Sequence, residues 1–162
     1  MIDQAQKPSW QQISLPLNIF ERMWCFSVPI GGQVAVVAND GIYSFDLLNP
    51  GSLDADREHP QGGDLLDHTN HSMLYHGNLY HMLGVGGGDP ILQSQYGETL
   101  LLDRKRERFT VSSLQGDTLY SHTFEDFSGD WSFVTFSSDC QFIVLGMPYD
   151  LYAFSRAGHL KR

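Results

Sequence analysis

The sequence predicts an all-β protein, and three observations lead to that class. Apolar residues alternate with polar ones at a period of two instead of 3.6. The chain contains 16 Gly and 7 Pro, which divide it into short segments. One strand pattern also occurs twice. At 162 residues the chain has the length of one domain, so we expect a single all-β domain over residues 1–162.

The first predicted strand covers residues 12–20. Pro16 within it favours an edge position, because proline has no main-chain N–H to donate. This strand either completes a sheet at the other end of the chain, which would remove two exposed edges, or pairs with its neighbour in sequence. The alternating apolar residues are Ile13, Leu15, Leu17 and Ile19.

Two hairpins follow from turn residues placed between β-branched and aromatic segments. Residues 33–38 read QVAVVA, the turn signal NDG occupies 39–41, and the chain resumes as IYSFDL. Near the carboxyl end, 141–146 read QFIVLG and 151–155 read LYAFS. Each segment pair around a turn predicts an antiparallel hairpin.

The two hairpins belong to a longer repeated pattern. Trp24-x-Phe precedes the first hairpin and Trp131-x-Phe precedes the second. Within the hairpins, Tyr43-x-Phe and Tyr152-x-Phe occupy equivalent positions. A weaker third copy lies between them. We therefore predict three antiparallel meander units, over residues 21–56, 70–125 and 130–156.

These units resemble the four-stranded blades of a β-propeller of the WD-repeat kind. The resemblance covers about residues 21–156 and implies a propeller-like arrangement of the units. The Gly-His and Trp-Asp marks of true WD repeats are absent, and three units are fewer than the usual four blades. A sandwich-like arrangement is the alternative.

Two long loops interrupt the strands, at residues 48–70 and 84–97. The first is polar and rich in Gly, Pro and acidic residues, and the second reads GVGGGDPILQSQYG. Long loops in a compact domain are usually functional or disordered. A third connection, the basic run 104–108 (RKRER), lies between two strand patterns and predicts a hairpin tip.

Charge and composition exclude several functions. With 10 Lys and Arg against 19 Asp and Glu, the net charge is -9, which disfavours nucleic acid and anionic membranes as partners. No secretion signal and no long apolar segment is visible, so we expect a cytoplasmic protein. We interpret Cys25 and Cys140 as free buried thiols; one disulfide between them is the alternative.

A histidine cluster offers the one metal-binding pattern in the sequence. If Gly77 and Asn78 form a two-residue turn, His76 and His81 become diagonal neighbours on one face of a hairpin, and three such ligands with a water would make a catalytic zinc site. The spacing matches no standard motif, so we predict polar surface residues and no metal. The histidines of the alternative metal site are His68, His71, His76 and His81.

Enzyme motifs are absent. The glycine run before Asp89 lacks the Lys and Ser/Thr of a phosphate-binding loop, and no G-x-S-x-G element occurs. We therefore expect no enzyme activity and no cofactor. The alternative is a metal-dependent hydrolase or ligand-binding protein that uses the histidine cluster.

The leading hypothesis is a protein-binding inhibitor. In general character the chain resembles bacterial immunity proteins, which are small, acidic and neutralise a toxin, and this resemblance implies a basic toxin or enzyme as partner. Complementary charge would speed the encounter; a homodimer remains open. The predicted partner-binding residues are Asp54, Asp56, Asp64, Asp67, Asp89, Tyr96, Glu125, Asp126, Phe127 and Asp130.

Overall fold

The computed structural model describes residues 10–16 and 22–156. Strand accounts for 55% and helix for 4%, so the predicted all-β class is confirmed. The described residues form three antiparallel sheets and a short 3-10 segment, Pro60–Leu65. The strands are β1 (Trp10–Ile13), β2 (Met23–Ser27), β3 (Gln33–Ala38), β4 (Gly41–Asp46), β5 (Asn49–Asp56), β6 (Leu66–Asp67), β7 (Ser72–Tyr75), β8 (Asn78–Gly84), β9 (Thr99–Asp103), β10 (Arg108–Ser112), β11 (Thr118–Thr123), β12 (Phe133–Phe136), β13 (Phe142–Met147) and β14 (Asp150–Arg156).

The largest sheet has seven strands in the order β5-β4-β3-β2-β8-β7-β6. Its β3 strand is buried on both faces: Val36 belongs to one hydrophobic cluster and Val37 to another. Both faces are covered because the sheet curls. Tyr75 on β7 donates a hydrogen bond to the Asp56 carboxylate on β5 (3.1 Å), which brings the two ends of the sheet close together.

The four-stranded sheet has the order β1-β14-β13-β12, which pairs the first described strand with the last one. Trp10 lies opposite Arg156, and Ile13 lies opposite Ala153. The sequence left two pairings open for the first strand: with its neighbour in sequence, or with a sheet formed by the carboxyl-terminal meander. The structure has the second pairing. The predicted bounds of this strand, residues 12–20, are wrong, because β1 covers Trp10–Ile13 and ends before Pro16. Residues 17–20 lie outside the described part.

The third sheet contains β11-β10-β9 in that order, and the basic run at 104–107 is the tip between β9 and β10, as predicted. The unit predicted over residues 70–125 is thus divided, because β7 and β8 join the first sheet. Gly84 permits that pairing: a Cβ there would overlap Cys25 on β2.

The units predicted at 21–56 and 130–156 correspond to β2–β5 and β12–β14, with Glu21 outside the described residues. The propeller-like arrangement of the sheets stays a prediction.

The sheets meet through aromatic and aliphatic side chains. Phe26 on β2 stacks on Trp131 with ring centroids 6.2 Å apart, and both belong to the cluster that joins the seven-stranded and four-stranded sheets. Phe109 on β10 contacts Phe154 on β14 edge to face at 5.2 Å. The four-stranded sheet therefore packs against both of the others.

The prediction of a loop over residues 48–70 is wrong in part, because this stretch contains β5 and β6. Most of β5 is exposed and it lies at the end of its sheet, so no alternating apolar pattern revealed it. Pro50 is tolerated in such an edge strand. The second predicted loop is irregular from Val85 to Gly97 apart from isolated bridges.

Cys25 and Cys140 are free and buried, as predicted. Burial raises the pKa of the Cys25 thiol to about 12, so this side chain stays protonated and behaves as a small apolar residue. Within the residues that the structure describes, no helix has the length and apolarity required to cross a membrane.

Candidate protein-binding site

A cleft that carries the Glu125 carboxylate, here called the acidic cleft, lies where β11 ends. The Phe124 N–H donates to the Glu107 carbonyl (2.9 Å), which extends the β10–β11 pairing by one residue before the chain turns. The cleft beside this turn has a volume of about 550 Å³, which is within the usual range for a small-ligand or side-chain site. Its lining residues are Thr123, Phe124, Glu125, Phe127 and Tyr152.

The turn after the cleft is held by one carboxylate. Asp126 accepts main-chain hydrogen bonds from Ser128 (3.2 Å) and Gly129 (3.1 Å). Its own N–H donates to the Glu107 carboxylate (2.6 Å). Phe127 is carried on this turn and is 75% exposed. The backbone is therefore ordered around a large apolar side chain that nothing in the described protein covers.

The β13–β14 turn adds a second exposed aromatic side chain. Tyr149 is 56% exposed, and the Arg22 guanidinium lies 5.6 Å from its ring centroid. Arg22 also forms an ion pair with Asp130. Tyr149 and its neighbour Asp150 were not predictable from the sequence as part of this surface, because only the packing of distant segments brings them here. We call the resulting surface the acidic patch, which consists of Glu125, Asp126, Phe127, Asp130, Tyr149 and Asp150.

Electrostatics in the acidic patch favour an incoming cation. Burial, together with the negative charge of Asp126, raises the pKa of Asp150. Burial also raises the pKa of Tyr152, with further contributions from Asp150 and Glu125. Among the described residues, no basic side chain forms an ion pair with Glu125, Asp126 or Asp150. A Lys or Arg placed here would relieve this uncompensated charge.

A second, apolar cleft of about 500 Å³ lies near the start of β11. Its floor carries Arg156, whose guanidinium is 4.5 Å from the Trp10 ring centroid and 4.6 Å from that of Tyr96. The same guanidinium pairs with the buried carboxylate of Glu98 through two hydrogen bonds, one of them 3.0 Å long. The lining residues are Tyr96, Glu98, Ser113, Leu114, Gln115, Leu119, Gln141 and Arg156.

The predicted partner-binding residues are divided among several surfaces. Glu125, Asp126, Phe127 and Asp130 are brought together in the acidic patch, and Tyr96 lies in the apolar cleft. Asp89 is exposed in the irregular segment. The other four lie on the seven-stranded sheet and its 3-10 segment: Asp54, Asp56, Asp64 and Asp67.

Two of those four carboxylates have local structural roles. Asp56 accepts hydrogen bonds from the Glu58 main chain (2.9 Å) and from Tyr75, and the first of these is the main cause of its lowered pKa. Asp67 accepts from the main chain of Thr69 and of Asn70, both at 3.0 Å. These bonds occupy acceptor sites that a partner would otherwise use, as the bonds from Ser128 and Gly129 do at Asp126 in the acidic patch.

The histidines do not form the arrangement considered from the sequence. The two-residue turn consists of His76 (φ 49°) and Gly77 (φ 80°), not of Gly77 and Asn78. A type I′ turn requires positive φ at both positions and favours Gly at the second, which explains the difference. His81 lies opposite Ser72. Among the described residues, no three His, Cys, Asp or Glu side chains are placed to hold a metal ion.

Replacing both exposed hairpin histidines, His76 by Asn and His81 by Gln, should leave the free energy of unfolding within about 0.5 kcal/mol. Asn is chosen at position 76 because it tolerates the positive φ there. Urea unfolding measures the stability, and elemental analysis measures metal in the wild-type protein. Loss of a bound metal in the double variant would contradict the surface interpretation.

No family model, no curated protein and no solved structure matches the chain.

Proposed function

We propose that the protein is an inhibitor of the immunity-protein kind, which neutralises a basic toxin or enzyme by covering its active site in the cytoplasm. One observation carries the proposal: an exposed Phe127 lies on an ordered turn beside Glu125, Asp126 and Asp150, three carboxylates that form no ion pair within the described residues. Protein interfaces concentrate their binding energy in a few large side chains that become buried, and charged residues around them chiefly speed the encounter.

The net charge of -9 supports the basic character of the partner. An acidic surface attracts a basic protein over a distance of about one Debye length, which raises the association rate at low salt. The acids can also occupy a site that is built for phosphate. Phe127 and Tyr149 would supply the short-range contact that slows dissociation.

Glu125→Lys and Phe127→Ala should weaken the complex by different kinetic routes. We expect Glu125→Lys to reduce the association rate, with an effect that shrinks as salt increases. Phe127→Ala should raise the dissociation rate by about 30-fold. This factor corresponds to a loss of about 2 kcal/mol in binding free energy, as is typical for a central aromatic side chain. The basic partner is first isolated on the immobilised protein, and both rates are then measured against salt concentration.

Asp64→Lys is the matched control, since it changes the charge equally on an exposed residue of the 3-10 segment. It should alter association less than Glu125→Lys. If Asp64→Lys had the larger effect and Phe127→Ala had none, the binding surface would lie on the seven-stranded sheet.

A further inference from the structure

The β11 strand has one unpaired edge among the described residues. It pairs with β10 on one side, and no described strand pairs with its other side. Its six residues, TLYSHT, include no Lys, Asp, Glu or Pro. Natural sheets protect an open edge with such residues or with a bulge. The register shift of the β10–β11 pair lies between Val111 and Ser112, outside the regular pairing of residues 120–123. That regular stretch is therefore an unprotected template for another strand.

The hydrogen-bonding pattern identifies which main-chain groups face outward. Antiparallel pairs alternate between bonded and non-bonded residues. Phe124 bonds to Glu107, in the same register that places Thr123 opposite Arg108. The main-chain groups of Ser121 and Thr123 therefore point away from β10, toward the open edge. Both residues are exposed.

The two ends of β11 carry complementary features. Thr123 lines the acidic cleft and Leu119 lines the apolar cleft. Beyond these ends stand Leu114, 80% exposed, and Phe127, 75% exposed, the two most exposed large hydrophobic side chains of the described residues. A strand laid along β11 would thus run between a site for a cation and a site for an apolar side chain.

We propose that the β11 edge receives an extended strand of the basic partner. This inference rests on the proposed function, which supplies the partner. The added strand runs antiparallel to β11, since antiparallel pairing is slightly more stable per residue. Its amino-terminal Lys or Arg enters the acidic cleft, and its carboxyl-terminal apolar side chain enters the apolar cleft. The span to be covered is about 20 Å, six residues at about 3.4 Å each.

Charge favours this occupant over a second copy of the chain. Antiparallel self-pairing centred on Ser121 would bring Glu125 of each copy toward Asp117 of the other, and two chains of net charge -9 would meet. Like charges placed opposite each other destabilise a strand pair. A basic strand has no such penalty.

The first experiment uses the wild-type protein and a synthetic peptide, acetyl-Lys-Thr-Val-Thr-Val-Thr-Leu-amide. Saturating peptide should slow amide hydrogen exchange at Ser121 and Thr123 by about tenfold or more, because these donors become paired. The same peptide with the amides that face β11 N-methylated, and a peptide of reversed sequence, should bind more weakly. Equal binding of all three peptides, or no slowing at either amide, would overturn the proposal.

In the free protein, the amides of Ser121 and Thr123 should exchange quickly, because no strand covers this edge. Slow exchange at Ser121 and Thr123 without peptide, or protection that grows with protein concentration, would mean that the chain itself or a second copy covers β11 and would overturn the basic-strand assignment. Sedimentation across the same concentrations distinguishes these two cases.

Ser121→Pro tests the edge against the native partner. Proline removes an outward donor without removing a bond to β10, so folding should be retained, while partner affinity should fall about tenfold or more. Ser121→Ala keeps the donor and is the matched control. Weakening by Glu125→Lys with no effect of Ser121→Pro would overturn strand addition and leave the proposed function intact. Insensitivity to both Glu125→Lys and Phe127→Ala would instead overturn the acidic patch as the binding surface of the proposed function.

Discussion

Replacing Glu98 by Ala is expected to destabilise the protein by about 3–5 kcal/mol, because it leaves the Arg156 guanidinium buried without its carboxylate. The Glu98 side chain is 5% exposed and that of Arg156 is 13% exposed. Ser94 Oγ also donates to the Glu98 carboxylate (2.8 Å). Urea unfolding followed by Trp fluorescence measures the loss.

The position of this ion pair explains why the effect should extend beyond the apolar cleft. Arg156 ends β14, lies opposite Trp10 on β1 and covers the Trp10 ring. It also donates to the Cys140 carbonyl (3.0 Å). The pair therefore connects the amino-terminal strand, the β13–β14 hairpin and the segment before β9. A double-mutant cycle with Arg156→Met should show strong coupling, and a Glu98→Ala loss below about 1 kcal/mol would contradict a structural role for the pair.

The same pair predicts a dependence of stability on pH. Burial alone would raise the pKa of Glu98, but hydrogen bonds from Arg156 and Ser94 lower it below the ordinary value of 4.5. A carboxyl whose folded pKa is lowered adds stability above its unfolded pKa and loses that contribution as pH falls through the folded value. Wild-type stability should therefore decrease below about pH 4.5, and Glu98→Gln should decrease less over that range.

Local sequence signals predicted the parts of the fold that depend on neighbouring residues. The NDG turn predicted the β3–β4 hairpin, and alternating apolar residues predicted β13 and β14. Pairings between distant segments were not predictable in this way. The β2–β8 pairing depends on a close approach at Gly84, and β5 is an exposed edge strand whose polar residues resemble those of a loop. Both are decided by the packing of whole sheets.

In the candidate site too, the residues that are close in sequence were predictable and those brought in by distant packing were not. Glu125, Asp126, Phe127 and Asp130 are close in sequence, and their proximity could be anticipated from that alone. Tyr149 and Asp150 join them only because β14 packs beside β11, where His122 and Tyr152 have ring centroids 5.3 Å apart. The apolar cleft was missed apart from Tyr96, because its walls come from four separated segments.

Gly146→Ala should destabilise the protein by about 3 kcal/mol, since a core this close packed cannot accept another carbon atom without strain. Gly146 lies in β13, where a Cβ would overlap the ring of Phe26. Phe26 is 0% exposed and is stacked on Trp131, so its ring has no free space into which to move. Thermal and urea unfolding measure the effect, which should be accompanied by altered near-ultraviolet signals from Trp131.

Gly51→Ala is the matched control for this overlap. Gly51 lies in the exposed strand β5, where the nearest atom to an added Cβ is the Asn49 side-chain oxygen at 3.8 Å, so stability should change by no more than about 0.5 kcal/mol.

Phe26→Leu by itself should lower the stability. In combination with Gly146→Ala it should reduce the additional loss, because the smaller side chain leaves room for the methyl group. Additive effects of the two substitutions would show that the methyl group is accommodated by a shift of β13 itself. That shift would move β14, and with it Tyr149 and Asp150, so Gly146→Ala would then weaken partner binding as well as folding.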